Sequence, residues 1–271
     1  MTDPAPLATF SANARRAIRG VFTDIDDTLT TWGELTGAAY LALERLRKAG
    51  FIVVPITGRC AGWCDHFARM WPVDAVVGEN GAFYFRYDRK ANRLQKRFLD
   101  DAATRARKRE KLHKIGQQIL RDVAGSALAS DQAYQESALA IDWGEDLPAL
   151  PAAALDRIIA IMHKHGMNAK VSSIHVNGWF GDYDKLSMTK TLMREVFAVD
   201  LDAQREQFVF IGDSPNDAPM FAHFPHAVGV ANVRDFKERI VTMPRYITKG
   251  AAGAGFIELA DALIATKLAK V

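Results

Sequence analysis

Cysteine is scarce in this chain of 271 residues: Cys60 and Cys64 are the only two, four positions apart in an expected helix. That count argues against a disulfide framework or a structural zinc site and fits a reducing compartment. Long apolar runs are also missing. No stretch is long enough to span a bilayer, and the opening residues lack the apolar centre of a signal peptide. A cytoplasmic location without a membrane partner is therefore expected. Charge of one sign is not in excess either, with 35 Lys and Arg against 32 Asp and Glu and a formal net charge of +3. So mild a balance does not suggest a nucleic-acid partner. Neither a Gly-x4-Gly-Lys-Ser/Thr loop nor a Gly-x-Gly-x-x-Gly fingerprint is present, which leaves a nucleotide cradle without its key part.

Hydrophobic residues make up 49% and charged residues 25% of the chain, as expected for a globular protein with a sizeable core. The length suits one domain carrying a large insertion. The most informative stretch is Val21-Phe22-Thr23-Asp24-Ile25-Asp26-Asp27-Thr28, where an apolar strand breaks off into three carboxylates. Acidic residues are poor strand formers and costly to bury. They belong at the exposed carboxyl end of a strand, where open α/β sheets bind ligands. Alternation places Asp24 and Asp26 on one side and Asp27 on the other. Crowded carboxylates repel one another, and a divalent cation relieves that repulsion. Taken alone, the stretch reads first as an Asp-rich turn or helix cap, and it must be weighed with the rest of the chain.

Residues 1–16 read as a loose, polar lead-in. Residues 35–49 carry apolar side chains at helical spacing closed by Gly50, and 51–56 read as a buried parallel strand ending in Thr57-Gly58-Arg59. A short helix through Cys64 and Phe67 follows, with Trp63, Phe67 and Trp71 expected in the core. A strand at 75–77 then ends in Gly78-Glu79-Asn80-Gly81. This βαβαβ order describes half of a doubly wound α/β sheet. From 83 to 182 the rhythm changes to strand pairs and helices: strands at 82–87 and 94–98, a basic helix at 103–123, a strand at 138–143, a helix at 152–165 and a hairpin at 170–180. That segment reads as an inserted α+β cap between core segments 1–82 and 183–271. Twelve Lys or Arg against four acids between Arg86 and Lys114 read as a solvated face, with an anion-binding surface as the alternative. Past Lys185 the α/β rhythm resumes, and a strand at 208–211 ends in Gly212-Asp213-Ser214-Pro215-Asn216-Asp217. Ser214 and Pro215 suit a helix cap and first helical residue. Short strands at 227–230 and 246–247 and a helix at 254–267 close the pattern.

Carboxylates at two strand ends, a Thr-Gly turn at a third and a lysine nearby describe a phosphoryl site with a hard cation. Here the chain resembles the haloacid dehalogenase-like (HAD) phosphatases. Asp24-Ile25-Asp26-Asp27-Thr28-Leu29-Thr30, Thr57-Gly58-Arg59, Lys185 and Gly212-Asp213-Ser214-Pro215-Asn216-Asp217 are similar to their four motifs, in order. The insertion after the second motif resembles the type IIB cap of the Cof-type, sucrose-phosphate, mannosylglycerate-phosphate and trehalose-phosphate phosphatases and the phosphomannomutases. The resemblance implies a Rossmann-like core and a Mg²⁺-dependent phosphatase acting on a small phosphorylated metabolite, with a phosphosugar as the expected class. Asp24 would be the nucleophile that forms an aspartyl-phosphate, and Asp26 the general acid and then base. Mg²⁺ would be held by Asp24, the backbone carbonyl of Asp26 and Asp213, with Asp217 binding or orienting that shell. Thr57, Gly58, Asn80 and Asn216 would hold phosphate, and Lys185 would balance charge on Asp24.

Several readings stay open at this point. A phosphosugar mutase shares the same motifs, and a phosphoacceptor signalling protein shares the acids, threonine and lysine but not the insertion. Lys190, one turn beyond Lys185, is the alternative motif lysine, although Lys185 stands at the helix entrance. Arg59 reads as a carboxylate partner rather than a substrate ligand. His175, Asn177 and Trp179 alternate on a cap strand, so one face of that strand looks either at the site or at solvent. The Cys60, Cys64 and His66 group reads as packing with a surface histidine. His163 and His165 suit a helix C-terminus. Neither the leaving group nor the oligomeric state is legible.

Overall fold

The computed structural model describes residues 3–268. A short strand β1 (Ala5–Pro6) and helix α1 (Ala12–Ala17) lead into β2 (Gly20–Thr23), α2 (Gly37–Lys48), β3 (Ile52–Pro55), α3 (Ala61–Met70) and β4 (Val76–Gly78). A hairpin of β5 (Phe83–Asp88) and β6 (Arg93–Phe98) follows. Next come α4 (Ala102–Asp122), β7 (Ala127–Leu128), β8 (Ala138–Asp142), α5 (Ala152–Lys164), β9 (Asn168–Val171) and β10 (His175–Trp179). The last elements are α6 (Lys185–Phe197), α7 (Leu201–Gln204), β11 (Phe208–Gly212), α8 (Ala218–His223), β12 (Val228–Gly229), β13 (Tyr246–Ile247) and α9 (Ala252–Leu268).

The main sheet has the order β1-β13-β12-β11-β2-β3 and is parallel throughout. Its side chains alternate between two cores, as the two-residue period of a strand requires. Val21, Val53, Val209 and Ile211 face one core, with Leu43 and Leu46 of α2, Phe67 of α3 and Leu259 of α9. Phe22, Val54, Phe208 and Phe210 face the other, with Met188 and Leu192 of α6 and Phe221 of α8. Both faces are thus covered, which is why the strands read as continuous apolar runs. The chain leaves β2 toward β3 on one side while β11 lies on the other. The carboxyl ends of β2 and β11 therefore open where the winding reverses, the place where such sheets bind ligands.

A single parallel bridge from Ile56 to Val77 carries the sheet on to β4, which pairs with β5 and β5 with β6, both antiparallel. That hairpin packs Phe83 and Phe85 into the core under β2 and α3. The separate unit that follows is a four-stranded antiparallel sheet, β7-β8-β10-β9, with α4 and α5 on one face. Leu112, Ile115 and Ile119 of α4 meet Leu155, Ile158 and Met162 of α5 over Leu139, Ile141 and Val176 of the sheet. The opposite face carries His175 and Asn177, set beside Asp142 and Ala140 by the strand register, and looks toward the end of β2. Much of the basic stretch is neutralised locally. Lys108 pairs with Asp100, Arg105 and Arg109 with Glu136, and Lys96 with Asp65, in keeping with a solvated face.

Two expectations fail. The lead-in is not loose: Ala5–Pro6 pairs with Tyr246–Ile247 as an edge strand, and Ser11 caps α1 by accepting from the Ala14 amide. Phe10 is fully buried, its ring centred 4.9 Å from both His226 and Tyr246. Leu7 and Phe10 are isolated apolar residues without a period, so nothing local announces that they are anchors. Trp63 is 46% exposed, whereas Phe67 and Trp71 are buried; the i, i+4, i+8 row drifts slowly around the helix, and Trp63 falls at the edge of the buried stripe of Ala61, Cys64, Phe67 and Ala68. Phe10→Ala is expected to cost about 3–5 kcal/mol of stability, read from urea unfolding. A loss under about 1 kcal/mol would show the lead-in to be dispensable.

Candidate active site

The site is built from four strand ends and the entrance of one helix. Asp24 follows β2 directly, and its amide donates to the Ile211 carbonyl of β11 at 2.9 Å, which ties the two acidic loops together. Asp213 follows β11. Asp217 closes a 3₁₀ turn (Pro215–Asp217) capped by Ser214. One Asp217 oxygen, Oδ2, accepts from the amides of Asp213 and Ser214 at 3.0 and 3.2 Å. A Cβ at Gly212 would lie 2.3 Å from that oxygen, so only glycine lets the carboxylate fold back over the strand end.

Lys185 opens α6, behind an Asp184 cap. Its ammonium is buried and donates to Asp24 Oδ1 at 2.8 Å and Asp217 Oδ1 at 2.7 Å. Lys190 lies elsewhere on the helix and pairs with Asp202 at 2.6 Å. Thr28 donates to Asp213 Oδ1 at 2.8 Å, and Asp213 Oδ2 is buried without a partner. Carboxylate oxygens of Asp24, Asp213 and Asp217 lie within 4.8 Å of one another. Burial pushes the Asp24 carboxyl up to about 7 against the pull of Lys185, with Asp217 adding to the rise. Asp213 is pushed well upward by burial and by Asp24 and Asp217. The Lys185 ammonium is held above its ordinary value: its two carboxylates outweigh burial. Three buried carboxylates against one ammonium, with one oxygen unpartnered, fit a hard divalent cation with oxygen ligands. Both Asp217 oxygens already accept hydrogen bonds, whereas Asp213 keeps one buried oxygen without a partner, so of the three carboxylates that could hold a cation Asp213 is the least engaged.

Asp26 stands outside that cluster, so any share it has in holding a cation comes from its backbone carbonyl. Arg59 grips both of its oxygens, Nε at 3.0 Å from each and Nη2 at 2.9 Å from Oδ1. The same guanidinium reaches the cap, with Nη2 at 2.5 Å from Glu145. His175 Nε2 lies 2.9 Å from the other Glu145 oxygen. Burial raises the Glu145 carboxyl, but His175 and Arg59 overcome it and hold the group down at about 2. Thr57 Oγ1 accepts from the Arg59 amide at 3.0 Å. Asn216 donates to Asn80 Oδ1 at 3.1 Å, which leaves Asn80 Nδ2 buried and unpartnered. A Cβ at Gly58 would sit 3.1 Å from that nitrogen and 3.3 Å from Asn177 Nδ2 of the cap. Glycine there keeps open a small hollow of about 10 Å³ enclosed by Asp24, Asp26, Asn216, His175 and Asn177. All nine residues expected at the site are thus gathered around the ends of β2, β3, β4 and β11 or on the entrance of α6.

Sequence reasoning missed Glu79 and Glu145. Glu79 is fully buried at a left-handed φ of 45°. Its carboxylate accepts from the amides of Ala61 at the start of α3 and of Glu136 and Ser137 in the cap, at 3.1, 2.8 and 2.6 Å. One side chain therefore stitches the cap to the core, and these three bonds hold a backbone conformation that a glutamate otherwise avoids. Only the glycine-flanked Gly-Glu-Asn-Gly turn hinted at it. Glu145, one of three acids in the short stretch Asp142–Asp146, carried no signal of its own.

Two measurements probe these buried charges. Lys185→Met strands two carboxylates, so in EDTA at pH 7.5 it is expected to cost about 3–5 kcal/mol of unfolding free energy, and less at pH 5, where Asp24 is protonated. A cost under about 1 kcal/mol, or one that grows toward pH 5, contradicts the pairing. For Glu79, burial raises the carboxyl from 4.5 to about 7 despite its three amide donors. Between those values the native state binds more protons than the unfolded chain, so stability falls as pH rises through that window. The fall amounts to at most about 3 kcal/mol. Glu79→Gln should remove that slope in urea unfolding across the window; an unchanged slope assigns it to other groups.

Residues 21–137 match the family model of haloacid dehalogenase-like hydrolases. Among curated proteins, none matches the chain significantly. Among solved structures, the C-terminal domain of trehalose-6-phosphate phosphatase from C. albicans is similar, with a TM-score of 0.70 and 14% identity over 97% of this chain and 98% of that one. A Thermoplasma acidophilum protein has a TM-score of 0.68 and 17% identity over 91% and 98%. Sucrose-phosphatase from Synechocystis sp. PCC6803, in complex with sucrose and phosphate, has a TM-score of 0.63 and 17% identity over 92% and 98%. At such identities these likenesses establish the fold. Over residues 21–137, the part that carries Asp24, Thr57, Gly58 and Asn80, the chain is similar to the haloacid dehalogenase-like hydrolases.

Proposed function

We propose that this protein is a Mg²⁺-dependent phosphatase that hydrolyses a small phosphorylated metabolite, a phosphosugar, through an aspartyl-phosphate on Asp24. The observation that carries the reading is the buried Lys185 ammonium shared by Asp24 and Asp217, beside an Asp213 oxygen with no partner. Likeness in fold to a trehalose-6-phosphate phosphatase and a sucrose-phosphatase supports the sugar class. The two buried free thiols, Cys60 and Cys64, suit a reducing cytoplasm. The site is walled by core and cap, which suits a small molecule rather than a nucleic acid.

In this mechanism Asp24 attacks phosphorus, the bond from phosphorus to the leaving oxygen breaks, and Asp26 gives that oxygen its proton. Asp26 then takes a proton from the water that cleaves the aspartyl-phosphate, releasing phosphate and restoring Asp24. Arg59 fixes the direction of Asp26 by its two-point grip. Lys185 holds the nucleophile still, and the Thr57 hydroxyl, the Gly58 amide and the Asn80 and Asn216 amides surround the phosphoryl oxygens. A Mg²⁺ ion held by Asp24 and Asp213 would neutralise charge on the phosphoryl group. The hollow over Gly58 is too small for a phosphate group, so the cap swings away from the core to admit substrate and returns to exclude water.

Phosphate release from trehalose 6-phosphate, sucrose 6-phosphate, other phosphosugars and p-nitrophenyl phosphate tests the reading. Release is expected to need Mg²⁺, to vanish in EDTA and to fall by at least about a thousandfold in Asp24→Asn. An Asp24→Asn variant with near-normal turnover would refute the nucleophile. Phosphate moving between sugar positions without release would make the protein a mutase.

A further inference from the structure

Beside the phosphoryl hollow and sharing Asp26 and Arg59 with it, a cleft of about 730 Å³ opens between core and cap. Besides Asp26 and Asp213 of the phosphoryl site, three carboxylates line it from three separate segments: Asp27 after β2, Asp235 on the 3₁₀ segment Ala231–Phe236, and Glu145 of the cap. Arg59 is the one cation among the described lining residues. Its Nε and Nη2 are engaged by Asp26 and Glu145, and its Nη1 lies 3.7 Å from a third carboxylate, Asp131. A second phosphate or a carboxylate on the leaving group would therefore meet Asp27 and Asp235 with no unpaired cationic side chain among the described lining residues to receive it.

The rest of the lining agrees. Trp32, Trp143 and Phe236 come from three segments to the same cleft. Trp32 is 92% exposed and sits at a left-handed φ of 56° at the tip of a turn closed by the Thr31–Glu34 bridge. The Trp143 ring is fixed by its Nε1, which donates to the Ser172 carbonyl at 3.2 Å. Aromatic faces among carboxylates attract hydroxylated carbon faces and, more strongly, ammonium groups.

We infer that this cleft selects the leaving alcohol by charge: it rejects alcohols that bear a negative charge, accepts neutral polyols and favours those that bear an ammonium group. The inference rests on the phosphatase reading and adds the specificity of its leaving-group side. Asp27 and Asp235 act here as specificity determinants, outside the phosphoryl chemistry.

The test is a hexose series of graded charge, with glucosamine 6-phosphate, glucose 6-phosphate and 6-phosphogluconate, and a two-carbon series with 2-aminoethyl phosphate, 2-hydroxyethyl phosphate and phosphoglycolate. Each compound is assayed as substrate and as competitive inhibitor of p-nitrophenyl phosphate hydrolysis, so the order is readable even where turnover is slow. The expected order is cation above neutral above anion, with at least about tenfold between neutral and anion at low salt and less at high salt. Asp235→Lys, on the exposed rim, should narrow that ratio by about fivefold. A flat or inverted order overturns the inference and leaves the phosphatase reading intact. The expected order with a ratio unmoved by Asp235→Lys overturns the assignment to this cleft. No hydrolysis of p-nitrophenyl phosphate or of any series member removes the phosphatase reading, and the inference with it.

Discussion

An ammonium group without water, held between two carboxylates, is the constraint on which the rest of this structure depends. Lys185 sits on the first residue of α6, where the helix dipole disfavours a cation. Only Asp24 and Asp217, within 2.8 Å on either side, make that position tenable. The arrangement therefore demands that the ends of β2 and β11 and the start of α6 meet to within a fraction of an ångström. Gly212 permits Asp217 to fold back, and two backbone amides fix it there. Because Asp213 adds another carboxylate, the cluster remains short of positive charge, and that shortfall is what suits it to a cation and a phosphoryl group.

The cap is fastened to this centre by two glutamates of different kinds. Glu79 binds backbone amides on both sides of the junction and is wholly buried, so it acts as a fixed stitch. Glu145 meets side chains, Arg59 and His175, at the edge of the cleft. Arg59 is common to the cap contact and to Asp26, so the position of the cap and the placement of the Asp26 carboxylate are tied together. Core and cap thus share the site: the core supplies the buried carboxylates and Lys185, and the cap supplies Glu145, His175 and Asn177 around it.

Much of this was legible from residue order. The strand ends carrying Asp24, Thr57 and Asp213 announce themselves because an apolar run stops at polar or glycine residues, and a buried parallel strand has no other way to end. Lys185 was separable from Lys190 by its place at the helix entrance. The lead-in containing Phe10, the exposure of Trp63, and the roles of Glu79 and Glu145 were not legible. Most of these depend on partners remote in the chain, such as Tyr246 for Phe10, Ser137 for Glu79 and Arg59 for Glu145, and a solitary residue has no periodicity to betray it.

The sequence by itself determined the doubly wound core, the presence of an insertion and the set of groups able to handle a phosphoryl group, because local pattern and residue chemistry carry those facts. Tertiary structure alone decided how the charges are shared: that Asp217 is spent on Lys185 and two amides while Asp213 keeps a free oxygen, that Arg59 is committed to Asp26 and Glu145, and that the cleft between core and cap is acidic despite a basic cap. Electrostatic roles follow from distances of a few ångströms between groups remote in the chain, and those distances exist only once the strands and helices have packed.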